Sequence, residues 1–223
     1  MLSRNHKNMF YIIASPFMRM SGLFYKILYS SRFRKLTKVH LGPGQKNYIE
    51  DWINIDANIF TGKADVWYDL RYPLPFYKSS VDAFFSYHVI EHLPNLNLHF
   101  KDVYRSLKPG GVYRFGGPHG DNAIKKFIEG DKDWFSDYPD KRRSIGGRFE
   151  NFIFCRQEHL TILTYSYIEE LLLDAGFKII HKCEPQHLTY YPNLFNDCLV
   201  KEWESDFKVP HTIVFEAIKP TVQ

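Results

Sequence analysis

Two short stretches indicate the fold most clearly: Val39-His40-Leu41-Gly42-Pro43-Gly44 and Trp52-Ile53-Asn54-Ile55-Asp56. The first is an apolar run that ends in a glycine turn, which is typical of a buried strand leaving a sheet. The second alternates apolar and polar residues and ends on an acid. Since Asp56 follows Gly44 by only 12 positions, any helix between these two predicted strands has no more than a turn or two.

Apolar runs and helical patterns alternate through the rest of the chain. Strands are predicted at 64–68, 81–86, 112–115, 177–181 and 212–218, and helices at 96–107, 121–129 and 165–175. The segment 130–151 is polar and charged, which indicates a loop. Because strands that alternate with helices favour parallel pairing, we predict an α/β fold with a mostly parallel sheet, helices on both faces and a closing antiparallel strand.

Length and composition indicate one globular domain with an appendage. The 223 residues are 44% hydrophobic and 24% charged, which excludes a wholly disordered chain. The three cysteines, Cys155, Cys183 and Cys198, form no CxxC pair. The sequence therefore excludes a zinc knuckle and favours reduced thiols.

Positive charge is concentrated at the N-terminus. Residues 1–40 contain eight Lys or Arg and no Asp or Glu, whereas the rest of the chain contains 21 basic and 25 acidic residues. This region is also rich in apolar and aromatic residues, but its longest uncharged run, 8–18, is too short to span a bilayer. We divide the chain into a leader, 1–37, and a domain, 38–223. The leader is predicted to be an amphipathic helix that packs on the domain or covers its site, or else contacts a membrane surface. Contact of the leader with an acidic protein or with nucleic acid is the less favoured alternative.

Several predicted strands are followed by residues that suit a ligand, and parallel sheets bind ligands at that edge. Gly42 and Gly44 allow close approach of the backbone, and the Asp56 carboxylate can accept hydrogen bonds from both hydroxyls of a ribose. Asp69, after the third strand, suits an adenine amino group. The third glycine of a dinucleotide fingerprint is replaced by Asn47. The pattern predicts a slot for a nucleoside without phosphates.

Five ordered motifs resemble those of a known family. They are 39–44, 52–56, 69–76, the stretch from Val81-Asp82-Ala83 to Glu91-His92-Leu93, and Leu107-Lys108-Pro109-Gly110-Gly111. Together they resemble the class I S-adenosylmethionine-dependent methyltransferases, which have a Rossmann-like fold. The likeness is greatest to the branch with a shortened first crossover, found in surface-polysaccharide and lipid-linked sugar biosynthesis. Two departures are Pro43 between the glycines and Gly116-Gly117-Pro118-His119 after the fifth strand.

The resemblance implies a methyltransferase with S-adenosyl-L-methionine as cofactor. The residues that it places at the cofactor are Gly42, Gly44, Asp56, Asp69, Leu70 and His88. The two glycines are implied to contact the methionine part, Asp56 the ribose, Asp69 with Leu70 the adenine, and His88 the sulfonium side.

Methyl transfer to a sugar hydroxyl benefits from a general base. We predict His119 as the first candidate, because it follows the fifth strand beside the expected acceptor space. Further candidates are His88, His92, Glu91 and, from the insertion, His159. No residue is assigned to a metal in this interpretation.

The stretch His88-Val89-Ile90-Glu91-His92 also matches H-x-x-E-H, a zinc-peptidase motif. A zinc hydrolase is therefore a second interpretation of the same residues. Against it, 81–86 is predicted as a strand, which places His88 at a strand end and not within a helix.

The expected acceptor is a small molecule, a glycan or a lipid-linked sugar. It is expected beside an insertion at 130–160, whose aromatic and Arg side chains suit sugar faces and phosphate. Nucleic acid is not expected as a partner, because the domain itself is net acidic. We predict a cytoplasmic protein, peripheral on the inner face of the membrane if the leader binds lipid. The alternative function is a methyltransferase-like module that binds the cofactor without turnover.

Overall fold

A computed structural model describes residues 4–28 and 36–221. Its strands are β1 (Lys38–Leu41), β2 (Ile53–Asp56), β3 (Val66–Trp67), β4 (Val81–Tyr87), β5 (Leu107–Pro118), β6 (Ile179–Cys183) and β7 (Thr212–Ile218). They form one sheet in the order β3-β2-β1-β4-β5-β7-β6. Strands β1 to β5 pair in parallel, and β7 is antiparallel to both β5 and β6. The predicted α/β fold is confirmed.

The described helices are α1 (Arg4–Leu28), α2 (Leu96–Ser106), α3 (Gly120–Glu129), α4 (Ile145–Phe154), α5 (Tyr165–Ala175) and α6 (Pro192–Leu199). The prediction of a loop over 130–151 was wrong at its end, because α4 begins at Ile145. The hydroxyl of Ser144 accepts a hydrogen bond from the Gly147 amide and so caps that helix. The strand predicted at 112–115 is also longer, and α6 was not predicted.

The two faces of the sheet are covered unequally. On one face, α2 and α5 pack Phe100 and Leu172 against sheet residues such as Phe84. On the other face, α6 packs Phe195 beside Trp52, which lies in the connection between β1 and β2. That connection forms turns and no helix, and the ring of Trp52 covers part of this face of the sheet.

Helix α1 packs on the segment that follows β3. Gly22 makes this contact close, since a Cβ there would lie 2.3 Å from the ring of Tyr68. Tyr25 meets Phe76 edge to face at 6.1 Å between ring centroids. Helix α1 lies within the predicted leader and its inner face packs on the rest of the chain, while residues 1–3 and 29–35 lie outside the described residues.

A charged cluster is buried within the sheet. Arg114 on β5 donates to Glu202 at 2.6 Å and to Glu216 on β7 at 2.8 Å, and all three side chains are fully buried. The thiols of Cys183 and Cys198 are buried and form no disulfide. Within 4–28 and 36–221, no helix combines the length and the apolar character needed to cross a bilayer.

Candidate active site

The glycine turn after β1 is joined to the acid at the end of β2. Gly42 and Gly44 have φ of +71° and +58°, a conformation that favours glycine. Gly42 N donates to Ile55 O at 2.8 Å, and Gly44 N donates to Asp56 Oδ2 at 2.8 Å. The structure thus brings three of the predicted cofactor residues to one edge of the sheet.

Asp56 keeps hydrogen-bonding capacity in this position. Its carboxylate accepts from the amides of Gly44 and Asn58, the latter at 2.7 Å, and it is half-buried. A carboxylate offers about four acceptor positions, so two remain for the hydroxyls of a ribose.

Asp69 is more fully engaged. It is buried and accepts from the backbone and guanidinium of Arg71, with Nη2 at 2.7 Å, and from Ser15 Oγ at 3.0 Å. Burial raises the pKa of Asp69, but the hydrogen bonds from Arg71 outweigh it and hold that pKa below its usual value. The ionised carboxylate anchors α1 and Arg71 to this edge, and its contact with an adenine stays a prediction.

Helix α1 lies over this edge. The ring of Tyr11 stacks against the Arg71 guanidinium at 4.1 Å, and Phe10 meets Phe60 of the loop after β2 at 5.7 Å. Burial first, and then the charge of Asp69, raise the pKa of the Tyr11 phenol. Tyr11 and Ser15 were missed by the sequence analysis, because a helical pattern does not show which loop a helix face will meet.

A cavity of about 300 Å³ opens beside the predicted adenine residues. Leu70 and Arg71 line one side of it, and α2 closes the other with Leu98, Asp102 and Arg105. Leu70 lines this cavity, whereas Gly42, Gly44, Asp56 and His88 do not, and its contact with an adenine stays a prediction.

The H-x-x-E-H stretch forms a polar cluster after β4. His88 has φ of +55° and Nδ1 lies 3.1 Å from Glu91 Oε1. His92 Nε2 lies 4.0 Å from the same oxygen, and the rings of His92 and His159 are 4.9 Å apart. Leu160 N donates to Glu91 O at 2.7 Å and so ties the segment after α4 to this turn. The candidate base His159 thus lies beside Glu91 and His92, which are distant from it in sequence.

The electrostatics of this cluster favour an ionised Glu91 carboxylate. Burial raises the pKa of Glu91, yet the hydrogen bond from His88 and the nearby histidines bring it below its usual value. Burial lowers the pKa of His159. The α-helical arrangement of a zinc peptidase is not present here, since Ile90–His92 is one 3₁₀ turn and His88 follows a strand, as predicted.

His119 has a different environment from the one expected of a base. It is buried, and its Nδ1 accepts from the Asn122 amide at 3.3 Å as the N-cap of α3. Its ring meets Tyr165 edge to face at 5.0 Å. Burial lowers its pKa to about 4. These contacts favour a capping role, and catalysis by His119 stays a prediction.

Much of the insertion, 130–160, packs into a small hydrophobic core that is separate from the core of the sheet. Trp134 and Phe135, which we expected at the acceptor, are buried against Ala123 and Ile153. The aromatic side chain of Tyr138 is 64% exposed and stays available to an acceptor.

Comparison with known proteins agrees with this geometry. Residues 21–115, fewer than half of the chain, match the family model described as "Methyltransferase domain". Among curated proteins no match was found.

Solved structures share the fold at low sequence identity. An S-adenosylmethionine-dependent methyltransferase from Thermotoga maritima has a TM-score of 0.50 at 14% identity, covering 96% of this chain and 95% of that one. A second one, from Archaeoglobus fulgidus, has a TM-score of 0.51 at 14% identity, covering 94% of this chain and 99% of that one. Phosphoethanolamine N-methyltransferase 2 of Haemonchus contortus was solved with S-adenosyl-L-methionine. It has a TM-score of 0.50 at 18% identity, covering 83% of this chain and 49% of that one. The chain has a Rossmann-like methyltransferase fold, and the family match supports S-adenosylmethionine as its cofactor.

Proposed function

We propose that the chain transfers a methyl group from S-adenosylmethionine to a hydroxyl of a glycan, a lipid-linked sugar or another small acceptor. The observation that carries this proposal is the 2.8 Å hydrogen bond from Gly44 N to Asp56 Oδ2. It joins a turn that a ligand can approach closely to an acid with free acceptor positions, at the carboxyl edge of a parallel sheet. The family match of the same region supports it.

The reaction is an in-line displacement. The acceptor oxygen bonds to the methyl carbon while the bond from that carbon to sulfur breaks. The electron pair stays on sulfur, which becomes a neutral thioether, and the hydroxyl proton passes to a base or to water. Since the leaving group needs no acid, alignment of donor and acceptor is the main contribution.

The Glu91–His92–His159 cluster lies beside His88, the residue implied at the sulfonium. His92 is the exposed member, with 41% of its side chain accessible, and Glu91 is the buried one. An acceptor hydroxyl at this cluster would therefore face the methyl donor, which makes the cluster the place where that hydroxyl is activated.

The acceptor is proposed to be presented at an anionic membrane surface. The outward face of α1 carries large apolar side chains, each more than half exposed: Met9, Ile12, Ile13, Phe17, Met20, Leu23, Phe24, Ile27 and Leu28. Because they recur every three or four residues, these side chains form one continuous stripe along the helix. Ordinary protein surfaces carry exposed apolar residues singly and not as a continuous stripe. The excess positive charge of 1–40 complements anionic lipid.

The test is transfer of label from methyl-tritiated S-adenosylmethionine to fractionated cell extract by the full chain. We expect label in a lipid or polysaccharide fraction, lost in Asp56→Ala and kept in Glu50→Ala, which removes an exposed acid of the preceding loop. Cofactor binding without label in any fraction would instead support the binding module.

A further inference from the structure

Three side chains of the cluster are arranged as ligands. Glu91, His92 and His159 each offer one ligand atom, and these atoms lie within 4.8 Å of one another. They come from the 3₁₀ turn after β4 and from the segment after α4, which are tied together by the Leu160 amide.

Both histidines are held in the same tautomer. His92 Nδ1 lies 2.9 Å from the backbone oxygen of Glu158, and His159 Nδ1 lies 3.1 Å from that of Ile153. A carbonyl oxygen only accepts, so each neutral ring carries its proton on Nδ1 and has a lone pair on Nε2. This is the arrangement in which histidines bind metal ions through Nε2.

Glu91 has a buried oxygen that lacks a partner. The residue is 0% exposed, and Oε1 faces His88 Nδ1. Within the described part of the chain, Oε2 has no hydrogen-bond partner. Gly117 approaches it closely, since a Cβ there would lie 3.1 Å from Oε2. A buried carboxylate without full compensation is costly, and a cation would remove that cost.

We propose that Glu91, His92 and His159 bind a divalent first-row transition-metal ion, through both Nε2 atoms and a carboxylate oxygen. Two imidazoles and one carboxylate suit Zn²⁺, Co²⁺ or Mn²⁺ better than Mg²⁺ or Ca²⁺, which prefer oxygen ligands. Metal–ligand bonds of about 2.1 Å require the three atoms to draw closer together. The exposed His92 side chain can make that movement.

Three protein ligands leave coordination positions for the acceptor. A bound hydroxyl would lose its proton to solvent water more readily, because the ion lowers its pKa. The oxygen would then be held next to His88, on the side implied for the methyl donor. This role in catalysis rests on the proposed function, whereas metal binding itself rests on the geometry alone.

The test is Co²⁺ binding to chelator-treated full chain, followed by visible absorption and calorimetry, with Zn²⁺, Mn²⁺ and Mg²⁺ as further titrants. We expect one ion per chain, with Mg²⁺ weakest. His92→Ala and His159→Ala are expected to weaken binding at least tenfold. His181→Ala and His187→Ala, which change histidines outside the cluster, are expected to bind as the wild type does.

Absence of stoichiometric binding, or equal binding by His92→Ala and His159→Ala, would overturn the proposal. Because Glu91→Gln alters a buried group, its thermal unfolding is first compared with that of the wild type by circular dichroism. If Glu91→Gln does not fold, His92→Ala still tests the site, because His92 is exposed. S-adenosylmethionine binding by the metal-free chain is measured separately. If the chain binds S-adenosylmethionine but no metal ion, the metal site is wrong and the proposed function stands. If it binds a metal ion but no S-adenosylmethionine, the proposed function is wrong and the metal site stands.

Discussion

Ser15 donates a hydrogen bond of 3.0 Å from its Oγ to Oδ2 of Asp69, across 54 positions of sequence. Both residues are buried. The bond joins the leader helix to the loop where the adenine is expected. The inner face of α1 is thus bonded to a residue of the predicted cofactor slot, while its outer face carries the exposed apolar stripe. One helix therefore connects the predicted cofactor slot with the proposed lipid surface.

Gly22→Ala tests the seating of α1. In an isolated helix this change would stabilise by about 1 kcal/mol, but here the new Cβ would meet the Tyr68 ring at 2.3 Å. We expect α1 to be displaced, with a loss of roughly 1–3 kcal/mol and faster tryptic cleavage at Arg19 and Lys26. Met20→Ala, on the exposed face, is the matched control. A Gly22→Ala protein that is more stable and equally resistant to trypsin would contradict the packing.

Phe17→Glu with Phe24→Glu tests the lipid surface. Both rings are 58% exposed on the outer face of α1, and burying two new charges in lipid is unfavourable. We expect the wild type to sediment with vesicles containing phosphatidylglycerol, less so at high salt, and the double variant to remain in the supernatant. The control is Leu173→Glu, at an exposed position of α5. If all three proteins sediment with the vesicles to the same extent, or if none of them sediments, the proposed membrane contact is wrong.

The buried histidines predict a loss of stability in mild acid. Burial lowers the pKa of His99 to about 4, below the unfolded value of about 6.5. Between these values the unfolded chain binds the proton and the folded chain does not, so stability falls as pH falls from about 6.5 towards 4, by on the order of 3 kcal/mol for this residue. His99→Phe should flatten the fall, with no change in slope above pH 7. Denaturant titrations at each pH measure the free energy of unfolding. If His99→Phe loses as much stability between pH 6.5 and 4 as the wild type, His99 is not the cause of the loss.

Arg114→Leu tests the buried charge cluster. It would leave Glu202 and Glu216 buried without their shared cation, at a cost of about 3–5 kcal/mol. Arg143→Leu removes an exposed arginine and should change stability by less than about 0.5 kcal/mol. Urea unfolding compares them, and similar midpoints for the two variants would show that the cluster contributes little.

The fold was predictable where local pattern and burial agree. The glycine turn, β1, β2 and β4, and the helix at 165–175 follow from apolar runs and caps visible in the sequence. Helix α4 was missed because its capping residue, Ser144, lies in a charged stretch. The convergence of His159 on Glu91 depends on the path of the insertion, which no local pattern specifies. For the same reason, the sequence indicated an amphipathic leader without showing that Ser15 meets Asp69.

Calorimetric titration of the full chain with S-adenosylmethionine tests whether this edge of the sheet binds the cofactor. We expect one cofactor per chain, binding weakened at least tenfold by Asp56→Ala, since two ribose hydrogen bonds to a charged acceptor are lost, and unchanged by Glu50→Ala. Absence of binding by the wild type, or equal binding by Asp56→Ala, would contradict the assignment of this edge as the cofactor site.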